Sequence, residues 1–166
     1  MEKPAESEAR ARLFLPSLSE VESVLGAGAS FRPATEHASL QSLGSVAAAA
    51  ARDAAYRSMT GTIPLNEEPR PLAVGELVLV FDSVAKCEAT FNQVAEASHL
   101  RIRLDETNVA VETVTSPNGL VSYWGYVQLL DVLLILTLDT VDPQDVSMTT
   151  FRSLVTLGAQ KLQRAP

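Results

Sequence analysis

The sequence predicts an α+β fold, a twisted antiparallel sheet flanked by helices within a single domain. Three observations carry that prediction. Across the second half, segments of strand character follow one another through turns too short for a parallel crossover. Residues 132–138 are large and apolar on both faces of the strand they would form, so layers must cover both sides of the sheet. Apolar stripes at helical spacing stand near the start, after a central strand and at the end of the chain.

The elements follow in order. Residues 1–12 alternate charges and read as a solvated leader or tether, with the folded domain spanning 13–163. Ser17 caps a short helix, and Glu20, three residues on, completes a capping box. Leu18, Val21, Val24 and Leu25 form its inner stripe, and Gly26 stops it. Residues 26–33 give a turn and a short strand; 39–55 are alanine-rich and helical in character, interrupted by Gly44. A strand over 56–63 is followed by 64–73, where Pro64, Pro69 and Pro71 predict a surface loop. Residues 76–81 form a strand. Asp82 or Ser83 then caps a helix to about Ala97, with Val84, Cys87, Phe91, Val94 and Ala95 inward. Residues 100–104 and 109–114 alternate and join as a hairpin through 105–108. Ser116-Pro117-Asn118-Gly119 turns the chain into a strand over 121–128, and 129–131 turn it again into 132–138. The closing helix starts at an Asp142 cap with Pro143 in its first turn. It packs through Val146, Phe151, Leu154, Val155, Leu157 and Leu162.

Composition narrows the function classes. A chain of 166 residues supports one well-cored domain, hiding about 70% of its extended surface. Apolar residues at 46% and charged residues at 20% exclude a disordered tail or a coiled coil. A net charge of −7 argues against a nucleic-acid partner. The lone Cys87 excludes an internal disulfide framework. The longest apolar stretch, 127–138, is broken by Asp131 and falls short of the ~20 residues of a spanning helix. Membrane association would therefore come only through a segment outside this chain.

Catalytic and metal motifs are missing. His37 and His99 stand alone, without an HExxH or CxxC context, so no metal or cofactor is expected. There is no GxSxG elbow, and Gly26-Ala27-Gly28 follows a helix instead of a strand, so it reads as a helix stop. Cys87 faces inward as an inert thiol. Asp139, Asp142 and Asp145 lack the spacing of a calcium loop.

The sheet carries more information. Ser122, Trp124 and Tyr126 share one strand face with Tyr123 on the other, and Arg101 and Arg103 point together near Glu112. The helices at 83–97 and 144–162 are expected to cover one sheet face. The other face is then closed by N-terminal segments or left partly open as an apolar groove. In that groove Trp124 and Tyr126 would form an aromatic wall, with Arg101 and Arg103 available to an anionic headgroup. The same residues also suit a plain packing role, the two aromatics capping the core and Arg101 pairing with Glu112 across strands.

Four stretches together resemble a known family. They are Leu13-Phe14-Leu15-Pro16 leading into Glu20–Gly26, Ser42-Leu43-Gly44-Ser45-Val46 with Tyr56, Val78–Ser83 with Ala85 and Phe91, and Trp124–Leu138 followed by Asp145–Leu162. This order is similar to the PknH-type extracellular sensor domains of actinobacteria, found in kinases and related lipoproteins. The resemblance implies an antiparallel sheet with flanking helices, a ligand cleft and an extracytoplasmic, membrane-anchored address. It departs at the family's usual disulfides, because Ser42 and Trp124 stand near expected cysteine positions.

The expectation is a non-catalytic ligand-binding or sensory domain of an anchored cell-envelope protein. Its partner would be an unidentified small or lipid-like ligand. A protein-interaction or structural subunit, including a homodimer, is the main alternative, and a small hydrolase built around His37 or His99 a further one.

Overall fold

The computed structural model describes residues 10–26, 28–37, 51–65, 68–140 and 146–164. Its first labelled helix, α1 (Leu18–Leu25), starts on the expected capping box. The Glu20 amide donates to Ser17 Oγ at 3.2 Å, and the Ser17 amide donates to Glu20 Oε2 at 2.7 Å. Gly26 ends the helix at φ 111°, a backbone that side-chain-bearing residues avoid. Ordered contacts begin upstream of the expected start at Leu13. A helical turn over 10–13 buries Ala11, and Arg10 binds both carboxylate oxygens of Asp131 at 3.0 Å.

Among the described residues seven strands follow: β1 (Ser30–His37), β2 (Asp53–Leu65), β3 (Glu68–Val80), β4 (Leu100–Leu104), β5 (Thr107–Thr115), β6 (Val121–Leu129) and β7 (Val132–Thr140). Helix α2 (Val84–Val94) lies between β3 and β4, and α3 (Met148–Arg164) closes the chain. The sheet order is β1-β2-β3-β7-β6-β5-β4, antiparallel throughout. The α+β class, with one sheet flanked by helices in a single domain, is as the sequence predicts. β4 to β7 form a meander. The ladder from Leu72–Thr140 to Val80–Val132 joins it to the β1–β2–β3 half.

Several local expectations need correction. In the proline-rich stretch 64–73, expected to be a surface loop, residues 64–65 and 68–73 belong instead to the antiparallel strands β2 and β3. β3 gains its β7 neighbour only from Leu72 onward, so Pro69 and Pro71 sit where the strand is paired on one side alone. There a missing N–H costs no second ladder. Residues 53–55, expected to end a helix, already belong to β2, while 39–50 lie outside the described residues. The helix at 144–162 begins at Met148, where the Thr150 amide donates to Ser147 Oγ at 3.1 Å. Ser147 thus takes the capping role given to Asp142, which lies outside the described residues along with Pro143. Val84 is 41% exposed instead of inward, because α2 packs through Cys87, Phe91 and Ala95.

The largest correction concerns the layers: α2 and α3 cover opposite faces of the sheet. α1 and α3 seal one face over Met59, Val74, Val78, Leu134, Leu136, Leu138 and Val127. α2 seals part of the other over Leu79, Phe81, Leu133, Ile135, Ala110 and Tyr126. β7 therefore alternates Leu134, Leu136 and Leu138 toward α3 with Leu133 and Ile135 toward α2, which explains its apolar character on both faces. The fit is close: a Cβ on Gly125 would sit 2.5 Å from Val155 of α3.

Candidate functional site

β4 is a strand of five residues, LRIRL, at the edge of the sheet, and among the described residues its only neighbour there is β5. Its alternation sends Leu100, Ile102 and Leu104 toward the α3 side and Arg101 and Arg103 toward the α2 side. α3 lies over β5, β6 and β7. A groove of about 480 Å³ is left between strand and helix, within the ~300–1,000 Å³ usual for ligand sites. Its floor is Leu100, Ile102, Leu104, Val109 and Val111. Val155, Ala159 and the polar flank of α3, including Arg152 and Gln163, make the wall. Gln163 Nε2 donates to Thr107 Oγ1 at 3.2 Å, tying the helix end to the sheet. Ile102 and Leu104 are 42% and 50% exposed, which is costly for residues of this size unless something covers them. Asp105 marks one end of the groove, and Arg152 has no ion-pair partner among the described residues.

The residues singled out from sequence lie on the opposite face of the sheet. Trp124 and Tyr126 do share a face, their rings stacked with centroids 6.4 Å apart, while Tyr123 packs on Phe151 across the sheet. Tyr126 is buried, and its hydroxyl donates to Glu112 Oε1 at 2.5 Å. Burial, reinforced by that carboxylate, pushes the phenol pKa well above its usual value. Tyr126 is thus a packed side chain and not an open wall, whereas Trp124 stays half-buried at the rim of the α2 cluster. The Arg101–Glu112 pair does not form. Arg101 donates to Asn92 Oδ1 at 2.6 Å and lies 5.5 Å from the centre of the Phe91 ring. Arg103 Nε donates to the Asp105 carbonyl at 3.1 Å. The structure brings Trp124 to Tyr126 and holds the two arginines along β4, but the apolar groove is on the far side of the sheet from all four side chains.

Glu76 and Cys87 are further ionisable groups buried in the protein. Glu76 is fully buried on the α1/α3 face, in register with Arg57. Arg57 Nη2 and Nε donate to Glu76 Oε2 at 2.6 and 3.0 Å, and Nη2 also donates to the Pro16 carbonyl ahead of α1. The second oxygen, Oε1, has no hydrogen-bond partner among the described residues. Burial outweighs the attraction of Arg57 and pushes the Glu76 carboxyl up to about 7. Cys87 is buried against α2's strands, and burial, with Asp131 and Glu88 nearby, raises its thiol to about 12, far from a nucleophile's range. At the surface, the Ser17 amide holds the Glu20 carboxyl below its usual value, and Lys161 Nζ reaches the same group at 3.2 Å. Among the described residues no group of three His, Cys, Asp or Glu can hold a metal, and no helix is long and apolar enough to cross a membrane. His99 is exposed, and the side chain of His37 lies outside the description.

Sequence reasoning recognised β4, and α3 apart from its start and its face relative to α2, but missed the groove residues Leu100, Ile102, Leu104 and Arg152. The available signal was the LRIRL alternation itself: a short strand with one fully apolar side needs cover on that side.

No family model matches the chain, and no curated protein matches its sequence. Its fold is similar to the crystal structure of the extracellular domain of PknH from Mycobacterium tuberculosis. The two superpose with a TM-score of 0.62 over 95% of this chain and 96% of that one, at 12% sequence identity. At that identity the likeness is one of fold.

Proposed function

We propose that the chain is a non-catalytic, ligand-binding sensory domain of an extracytoplasmic, membrane-anchored envelope protein. Its ligand presents apolar groups to the β4–α3 groove and an anionic group to Arg152 in its wall. One observation carries the reading: an apolar groove of about 480 Å³ is floored by half-exposed Ile102 and Leu104 and walled in part by Arg152, which has no ion-pair partner among the described residues. A packed interior rarely leaves such a space between a helix and an edge strand unfilled. The extended likeness to a kinase's extracellular domain supports the sensory role and the address.

Titration with 8-anilinonaphthalene-1-sulfonate, an apolar anion, tests the groove. Saturable 1:1 binding that Ile102→Glu abolishes, with an unchanged unfolding midpoint, is the expected result. Binding that survives Ile102→Glu, or that Trp124→Ala removes instead, would move the site to the opposite face of the sheet.

A further inference from the structure

The groove has the edge strand β4 as its rim, and that sets what kind of ligand suits it. Among the described residues β4 has β5 on one side and no strand on the other, so none of them pairs with its outer row of backbone N–H and C=O groups. The two sides of β4 differ in character. Leu100, Ile102 and Leu104 line the groove, while Arg101 and Arg103 line the far face, both without an acidic partner among the described residues. Arg101 is held in place by Asn92 and by its position over Phe91.

We infer that β4 accepts an added strand from an extended polypeptide segment that alternates apolar and acidic side chains. This deepens the functional reading above and rests on the groove being the binding site. Strand addition supplies main-chain hydrogen bonds along β4, and the side-chain period of two supplies the specificity. Apolar side chains of the segment turn into the groove beside Ile102 and Leu104, and its acidic side chains fall next to Arg101 and Arg103. The same charges disfavour a second copy of this chain. In an antiparallel β4–β4 pairing centred on Ile102, Arg101 of one copy faces Arg103 of the other, and like charges directly opposite are destabilising. The arginines therefore act in two ways, repelling self-pairing and selecting an acidic partner.

The test uses the peptide acetyl-Glu-Val-Glu-Val-Glu-Val-Glu-amide as probe, measured by isothermal titration calorimetry against the whole chain. It is expected to bind 1:1 and to displace 8-anilinonaphthalene-1-sulfonate. The double variant Arg101→Glu/Arg103→Glu is expected to weaken the peptide about tenfold while leaving the dye bound, because its substitutions lie on the other side of the strand. Two further versions, N-methylated at the valines or at the glutamates, separate strand addition from a general charge effect. Only alternate amides of an added strand face β4, so one version keeps binding and the other loses it. Equal binding of both versions overturns the inference. So does dye displacement by phosphatidylglycerol vesicles without displacement by the peptide, which assigns the groove to a lipid. A dimer in sedimentation that blocks the peptide assigns the edge to a second copy. Absence of dye binding instead overturns the groove itself.

Discussion

The two faces of the sheet are built by different means. On one, α1 and α3 close over a broad cluster that runs from Met59 in β2 to Val109 in β5, with Arg57 and Glu76 enclosed within it. On the other, α2, the sole helix there among the described residues, covers a smaller cluster around Leu79, Phe81, Phe91 and Leu133, with Trp124 at its rim. Hydrophobic burial scales with area, so the first face supplies most of the stability. The buried pair adds little net energy, because desolvating two charges offsets their attraction, but it fixes register: Arg57 meets Glu76 only when β2 and β3 pair in one alignment, and its bond to the Pro16 carbonyl orients α1 over them.

Truncation at equivalent depth breaks the comparison most directly. Phe151→Ala, which empties a fully buried site under α3, is expected to cost about 4 kcal/mol, and Phe91→Ala, under α2, about 3 kcal/mol. Urea unfolding followed by circular dichroism gives both. Equal losses, or a larger one at Phe91, would show that the faces contribute alike.

A pH series sharpens the role of the pair. The carboxyl of Glu76 is raised in the folded state, to about 7 from an ordinary value of 4.5. The folded protein then holds a proton that the unfolded chain has released over this interval. Stability from this group is present below pH 4.5 and is lost as pH rises toward 7, by about 3 kcal/mol. Urea midpoints at pH 5 and pH 8 are expected to show this fall in the native protein and not in Glu76→Gln. Arg57→Met is expected to be more damaging at pH 8 than at pH 5, since only the ionised carboxylate is left alone in the core. A loss independent of pH would mean that Glu76 stays ionised throughout.

The smallest effect is expected from Cys87. Buried and held as the thiol, it should resist iodoacetamide in the native state and react at the rate set by transient opening of α2. The opening free energy from that rate should fall about 1–2 kcal/mol below the global value, because α2 covers the smaller cluster. Labelling that follows global unfolding alone would put α2 in the same cooperative unit as α3.

Much of the fold was legible because its signals are local. The Ser17–Glu20 capping box and the two-faced apolar strand β7 each lie within a few residues and form as read, and the hairpin expected through 105–108 forms with a tighter turn at 105–106. The failures lie where the deciding partner is distant. Three prolines read as a loop because the sequence does not reveal that β3 lacks its β7 neighbour before Leu72. The Arg57–Glu76 pair spans 19 residues and appears only once the β2–β3 register is known, although a glutamate opening an otherwise apolar strand segment was a visible cue. The groove was missed for the same reason. The strand Leu100–Leu104 was recognised, but which of its faces α3 leaves uncovered depends on where a helix some fifty residues later comes to rest. Trp124 and Tyr126 drew attention as aromatics, yet Tyr126 is enclosed by α2, whose position over that face was assigned to the other side.

The β3–β7 ladder has a kinetic consequence. Each half of the sheet on either side of it is built from near neighbours in sequence: the β2–β3 hairpin, and the β4–β7 meander with its short turns. The ladder itself joins Val80 to Val132 and Leu72 to Thr140, closing a loop of more than fifty residues in one step. α2 belongs by chain order to the first half but packs on strands of the second, so it crosses that seam like a strap. Folding of this protein is thus expected to proceed by docking of two locally formed halves, with the entropy of closing that one loop slowing it.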